Sequence, residues 1–260
     1  MRDLLLHATA PLRSLRLVVQ HLVLNALLIA SASYWLLIPE ARVWQLAFTV
    51  VSALLIVCAF LWLHSGTFVF ASDPQPTNFR PAFSIKLTSW IPLFLGLAIL
   101  FWLMHRVDVF ASSRYQIAGY VYSKTPSWLH PTHGSAVYVR AVGFFLSIVT
   151  WYLLPGLILP VSAARVVGSE LRSALRALRS WQYWLGLAVT ISLGVWVTQA
   201  LMGWTPGTSL AQQTTSLVIR LAFAYLLATS AWLLTIGLLG YFVGPRNSDV
   251  SAQVVGQSAA

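Results

Sequence analysis

Residues 46–70 read LAFTVVSALLIVCAFLWLHSGTFVF, a run of apolar and small residues without Asp, Glu, Lys or Arg. An α-helix rises about 1.5 Å per residue, so roughly 20 residues cross the ~30 Å hydrocarbon core of a bilayer. Five further runs have a similar length and apolar character, and the 16 basic and six acidic residues all lie between the runs or at their rims. We therefore predict an all-α, polytopic membrane helix bundle with six transmembrane helices, at about 17–38, 46–70, 87–104, 141–164, 183–202 and 221–243.

The composition supports this fold class, because 58% of the residues are hydrophobic and only 8% are charged. A typical soluble domain carries about 25% charged residues. Six spans and their connections occupy residues 1–244, which we predict to form a single transmembrane domain. Residues 245–260 are small and polar and are predicted to be a disordered tail. We expect any activity to reside in the helix bundle or in a loop.

The distribution of basic residues predicts the orientation in the membrane. Six spans place both termini on one side, where ten basic residues fall, against six on the other side. The positive-inside rule then predicts that both termini of this multi-pass chain lie in the cytoplasm. The net charge of +10 is dispersed along membrane boundaries, so we expect membrane lipids and no nucleic acid as partners.

The segment 165–180 has the pattern of an amphipathic helix at the cytoplasmic surface. Leucines recur at i, i+4 and i+7, and a second stripe follows one residue later, formed by Arg172, Arg176 and Arg179. With Arg165, these arginines are the predicted lipid or partner contacts, because cations are attracted to anionic headgroups. The segment is interpreted either as an anchor that fixes topology or as a docking helix for a cytoplasmic partner.

Three further features interrupt the regular pattern of spans and short loops. Pro155 and Pro160 predict a kink or local break in the fourth span, either for packing or, as in transporters, to expose backbone to a substrate. The segment 106–140 is predicted to be a long extracytoplasmic loop that folds back as a cap, with residues 120–122 extended. Arg220 is predicted to snorkel from the outer end of the sixth span.

Polar residues inside the spans are the candidate binding groups. His21 and His64 lie at a similar depth on the first two spans, and Asn25 shares the face of His21. This histidine pair predicts either ligation of a b-type haem or polar contacts between helices. No Asp or Glu falls within a predicted span, which argues against a proton- or sodium-coupled carrier.

Motifs for catalysis and metal binding are missing from the sequence. It contains no glycine-rich phosphate loop, no His-Glu-x-x-His motif and no Gly-x-Ser-x-Gly elbow. His130 and His133 lack the further ligands that zinc needs. We therefore predict a protein that is not an enzyme and has no metal site, with haem b as the one cofactor considered.

The order of several short segments resembles that of a known group of proteins. These segments are HSGT at 64–67, FRPAF at 79–83, LPGLILP at 154–160 and SELRSAL at 169–175. The layout is similar to uncharacterised six-span bacterial membrane proteins related to the membrane domain of glycerophosphodiester phosphodiesterases. The resemblance implies a stand-alone integral protein of the bacterial cytoplasmic (inner) membrane and carries over no catalytic residue.

Three functional hypotheses follow from these features. The first is a non-enzymatic structural, accessory or assembly component of a membrane complex, with a membrane-protein partner. The second is a transport permease that serves as the membrane subunit of an ATP-driven exporter, to which 165–180 would dock the ATPase. The third is a haem-binding redox subunit that uses His21 and His64.

Overall fold

A computed structural model of the chain describes residues 1–39, 42–84, 86–130, 134–204 and 209–244. Regular structure within these residues is helical, and six helices are long and apolar enough to cross a membrane. The predicted all-α polytopic fold is therefore confirmed. In chain order, the helices are α1 (Arg2–Ala8), α2 (Ala10–Arg13), α3 (Leu15–Trp35), α4 (Val43–Ser72), α5 (Phe79–Ala82), α6 (Leu87–Ser112), α7 (Arg114–Lys124), α8 (Ala136–Val167), α9 (Leu171–Arg179), α10 (Trp181–Gly203) and α11 (Leu210–Val243).

Most spanning helices extend beyond the apolar runs that predicted them. α6 continues to Ser112 instead of ending at residue 104, and α11 begins at Leu210 instead of residue 221. A helix satisfies its own backbone, so it need not stop where the hydrocarbon ends. Asp108 consequently belongs to a spanning helix, which corrects the expectation that these helices contain no acidic residue. α3 is the exception, since it ends at Trp35, before residue 38.

The predicted long loop 106–140 is largely helical. The last residues of α6, the helix α7, a short 3-10 turn over Ser127–Leu129 and the first residues of α8 together occupy most of it. The expectation of extended backbone at residues 120–122 is wrong, because these residues lie inside α7, where local hydrogen bonds satisfy each peptide group. α7 packs on the start of α8, with the rings of Tyr122 and Tyr138 in edge contact at 5.7 Å between centroids.

The fourth spanning helix shows the disturbance that its prolines predict. A π-helical segment over Val149–Leu153 ends just before Pro155. Proline has no N–H to donate to the carbonyl of Trp151, and its ring crowds that carbonyl, so a wider turn accommodates it. α10 contains a second π-helical segment over Ser192–Val197, which the sequence analysis missed.

The chain divides into two compact units, one of Met1–Phe94 with Pro160–Ala260 and one of Leu95–Leu159. In the first unit, α11 lies at the centre and packs against α1, α4, α9 and α10. Burial is uneven along these helices. We call residues 61–71 and 231–243 the packed end, because nearly all of them are buried or half-buried; we call residues 22–35, 43–60 and 210–230 the open end, because most of them are exposed.

Glycines on α11 allow the close approach seen at the packed end. A Cβ at Gly237 would collide with the carbonyl oxygen of Ala8, and one at Gly240 with that of Ala71. α11 thus meets the backbone of α1 and α4 directly, as small residues permit in membrane helices.

Candidate functional site

The two histidines singled out in the sequence lie together at the packed end. His21 on α3 and His64 on α4 are both buried, and their ring centroids are 5.4 Å apart. α3 and α4 are neighbours joined by a short connection, so side chains at matching depth meet. The rings contact each other, and both nitrogens of His21 and Nδ1 of His64 form hydrogen bonds with other side chains.

The hydrogen bonds around His21 have one consistent direction. Thr67 donates its hydroxyl proton to the carbonyl oxygen of Leu63 at 2.7 Å, so its oxygen accepts from Nε2–H of His21, also at 2.7 Å. Nδ1 of His21 then accepts from the side-chain amide of Asn25 at 3.2 Å. This pattern assigns a neutral imidazole with its proton on Nε2.

His64 is held by the sixth spanning helix. The indole N–H of Trp232 can only donate, so Nδ1 of His64 accepts this bond at 2.9 Å. The ring of Phe60 covers His64 at 4.1 Å between centroids. The neutral imidazole of His64 therefore carries its proton on Nε2. Together the two histidines link α3, α4 and α11 through polar contacts inside the apolar bundle.

This arrangement fits polar contacts better than it fits haem. Coordination to iron through either nitrogen of His21 would break its bond to Thr67 or to Asn25. Coordination by His64 would displace Trp232 or move a proton onto the nitrogen that accepts its bond. Haem ligation stays a prediction, checked by whether protein purified from haem-replete cells shows a Soret band that His21→Ala removes.

The predicted surface helix forms, and a tight turn sets its position. Gly168, with φ of +79°, ends α8; its N–H bonds to the carbonyl of Arg165, and the N–H of Ser169 bonds to that of Ala164 at 2.8 Å. These two bonds form a Schellman motif, which needs the left-handed backbone that glycine adopts freely. α9 follows at once and packs on α11.

The face of α9 that packs on the bundle is not the leucine stripe. Its buried residues are the small ones Ser173, Ala174 and Ala177, whereas Leu171 and Leu175 are 42% and 54% exposed. The predicted contact residues Arg165, Arg172, Arg176 and Arg179 are all exposed. Within the described part of the chain, none of these arginines forms an ion pair. Sequence reasoning found the outward stripes and missed the small-residue face.

Arg220 is buried, and the expectation that it snorkels at a membrane rim is wrong. It is 6% exposed and donates to the carbonyl oxygens of Met202 at 2.9 Å, Ser216 at 3.2 Å and Trp204. The guanidinium group therefore caps the carboxyl end of α10, where helix carbonyls lack partners. The earlier start of α11 places Arg220 well inside this helix, opposite the end of α10.

A cavity of about 490 Å³ lies within the unit Leu95–Leu159, between α6 and the first half of α8. His105 and Asp108 line it from α6, and Arg114 lines it from the start of α7. The sequence analysis missed these residues, because α6 was predicted to end at residue 104. Their signal in the sequence is the i, i+3 spacing of His105 and Asp108, which puts both on one helix face.

Metal binding gains no support from the described residues. These residues contain no group of three or more His, Cys, Asp and Glu side chains placed to hold a metal ion. His130 contacts the carbonyl oxygens of Tyr122 and Thr125, while His133 lies outside the described residues. No family model, curated protein or solved structure matches this chain, so the resemblance to phosphodiesterase-linked membrane proteins stays a prediction.

Proposed function

We propose that this chain is a non-enzymatic accessory or assembly component of a complex in the bacterial inner membrane, with both termini in the cytoplasm. In this proposal α9 is the docking element for a membrane-protein partner at the cytoplasmic face. The observation that carries it is the three-sided character of α9: small residues fixed on α11, with leucines and arginines left exposed.

The packing of α9 supports a rigid docking surface. Its small-residue face lies on the central helix α11, and the Schellman turn at Gly168 ties its start to α8. A partner would therefore bind a surface that is already ordered, which reduces the entropy cost of association.

The chemistry of the exposed faces supports an acidic partner with an apolar contact patch. Arg172, Arg176 and Arg179 offer guanidinium groups for carboxylates, which arginine binds in bidentate geometry. Arginine is also enriched at the energetic centres of interfaces. Leu171 and Leu175 supply apolar area beside these charges. Anionic lipid headgroups also attract these arginines, with a contribution of about 1 kcal/mol per basic residue.

The polar groups of the packed end support a structural role over a catalytic one. His21, His64, Thr67 and Trp232 are engaged in hydrogen bonds that join spanning helices. Such buried polar contacts hold membrane helices together.

The test is purification of the full chain in lipid nanodiscs, with a photo-crosslinker at position 175. We expect one stoichiometric partner cross-linked through α9, and its loss in the triple variant Arg172→Ala, Arg176→Ala, Arg179→Ala. The matched control removes the same charge on the predicted outer side, by Arg106→Ala, Arg114→Ala and Arg140→Ala, and keeps the partner. A wild-type protein isolated alone as a monodisperse monomer would contradict the proposal.

A transport permease is the second candidate, favoured by the π-helical segments in α8 and α10. Such segments often mark functional sites in helices. For a membrane subunit of an exporter, the partner bound at α9 would be an ATPase. ATP-dependent flux in proteoliposomes that contain both proteins, lost with the α9 triple variant, would select this function over the accessory role.

A further inference from the structure

The cavity within Leu95–Leu159 changes in polarity along its length. Asp108 lies near the loop end of α6 and Arg114 lies at the start of α7, whereas Phe101 lies seven residues before Asp108 on α6, or roughly 10 Å of helix rise. On α8, which returns from the loop side, Gly143 lines the cavity near the loop end and Trp151 lines it deeper. The charged groups therefore lie toward the loop end of the cavity, and the aromatic groups of Phe101 and Trp151 lie farther from the loop.

The charged part contains groups of both signs. Asp108 and Arg114 carry opposite charges, and His105 adds an imidazole donor one helical turn from Asp108. Asp108 forms no ion pair with a cation among the described residues. The guanidinium group of Arg114 lies over the ring of Tyr115, at 5.1 Å from its centroid, which orients it. An acceptor for an ammonium group and donors for an anion thus line the same cavity.

The apolar part is partly open at the surface of the protein. Phe101 is exposed, and Leu146 is buried against the cavity wall. At about 490 Å³, the cavity falls within the usual size of small-ligand sites. This volume accommodates a headgroup and the adjoining methylene groups, with the remainder of an acyl chain lying in the bilayer.

We propose that this cavity binds the headgroup of a phosphatidylethanolamine-type phospholipid. The carboxylate of Asp108 accepts hydrogen bonds from the ammonium group, while Arg114 and His105 donate to the phosphate. The first methylene groups of the lipid pack against Phe101 and Trp151. The ammonium group donates N–H bonds that a choline headgroup lacks, so the site discriminates between these two zwitterionic lipids.

The first test measures lipid selectivity of the full chain in detergent by native mass spectrometry. Equimolar dioleoyl-phosphatidylethanolamine and dioleoyl-phosphatidylcholine are added to delipidated protein. We expect wild type to retain the ethanolamine lipid about tenfold more, since hydrogen bonds to charged groups are strong. Asp108→Asn should abolish this preference. The control Arg106→Gln should keep it, because the Arg106 guanidinium lies over Trp102 on the same helix and does not line the cavity.

The second test fills the cavity and remains valid if Asp108→Asn does not fold. Gly143 lines the cavity and a Cβ there meets no atom within 4 Å, so we expect Gly143→Leu to be tolerated and to occupy part of the cavity. We expect it to lower retention of the ethanolamine lipid about tenfold, by occluding the site. Gly119→Leu is the matched control, because Gly119 also has open space around its Cβ and lies on α7 away from the cavity.

Two outcomes overturn the assignment. One is equal retention of the two lipids by wild type, or equal effects of Gly143→Leu and Gly119→Leu. The other is displacement of the bound lipid by soluble phosphoethanolamine at matching concentration, which would identify a water-soluble zwitterion as the ligand. Failure of soluble phosphoethanolamine to compete supports the lipid.

Discussion

The packed end and the open end belong to the same helices, yet they differ in almost every contact. On α4, residues 61–71 are buried or half-buried, whereas Thr49 is the single buried residue in 43–60. Both segments are strongly apolar. In water such a difference would follow hydrophobicity, but lipid tails are as apolar as leucine. Burial in this protein therefore follows close packing and hydrogen bonding.

The residue types at the two ends agree with this explanation. The packed end carries glycines and hydrogen-bonding side chains, such as Gly240, Thr67 and His64. The open end of α4 is dominated by leucine, valine and isoleucine, which lipid solvates equally well. A cavity of about 410 Å³ even remains there between α3 and α4, lined mainly by apolar groups.

Among the described residues, hydrogen bonds still hold the open end at three points, one of which is the bond from the Tyr225 hydroxyl on α11 to the Leu22 carbonyl oxygen on α3 at 2.6 Å. Trp35 donates its indole N–H to the carbonyl oxygen of Thr49 at 2.9 Å, which joins α3 to α4 beside that cavity. Arg220 joins α11 to the end of α10. Polar bonds therefore replace close packing at the end where side chains are exposed.

The largest expected effect comes from filling the backbone contact at the packed end. Gly240→Ala should lower the free energy of unfolding by about 3 kcal/mol, because its Cβ meets the Ala71 carbonyl and backbone cannot move cheaply. SDS titration in mixed micelles measures this value. Gly203→Ala, whose Cβ meets nothing within 4 Å, should leave stability nearly unchanged. Equal losses of stability at the two glycines would show that the close backbone contact at Gly240 does not stabilise the packed end.

The second largest effect concerns the hydrogen bonds of Arg220, which join α11 to the end of α10 at the open end. Arg220→Met should cost about 2 kcal/mol, because carbonyl groups of Met202 and Trp204 lose a charged donor. The loss should appear as faster hydrogen exchange at the carboxyl end of α10, with little change in residues 231–243. Uniform acceleration along α11 would show that Arg220 supports both ends.

A matched pair of leucines on α4 tests burial directly. Leu63 is 0% exposed and Leu55 is 65% exposed. Leu63→Ala should cost about 1.5 kcal/mol, from a cavity of roughly 60 Å³ at about 24 cal/mol per Å³. Leu55→Ala should stay within about 0.5 kcal/mol, since lipid replaces the lost atoms. SDS unfolding of both variants measures the two losses in free energy of unfolding. A larger loss for Leu55→Ala than for Leu63→Ala would mean that protein, and not lipid, covers the open end.

The smallest effect is expected for the hydrogen bond between His21 and Thr67. Hydrogen bonds between membrane helices average about 0.6 kcal/mol in double-mutant cycles. A cycle of His21→Leu and Thr67→Val should return a coupling energy of this size, measured by the same unfolding assay. The pair Asn25 and Thr67 does not bond directly and should couple more weakly. Zero coupling for His21 and Thr67 would assign the stability of the packed end to glycine contacts alone.

Sequence reasoning succeeded where a rule depends on distance along one helix. It located all six spans, the juxtaposed His21 and His64, and the outward arginines of α9. It failed where contacts with a neighbouring helix determine the position or burial of a side chain. The partner of Arg220 lies at the end of α10, and the buried face of α9 is set by α11. Asp108 was assigned to a loop because hydropathy marks the hydrocarbon and not the helix end.

The sequence by itself determined that this chain is a set of spanning helices with ionised groups mainly near their ends, because a bilayer excludes unpaired charge and unsatisfied backbone over a fixed thickness. Tertiary structure alone decided which halves of those helices are buried and where polar groups meet. The physical reason is that lipid and leucine are equivalent solvents for a helix. Which helix segments pack against one another therefore depends on glycine contacts, such as that between Gly237 and Ala8, and on hydrogen bonds, such as that between Trp232 and His64.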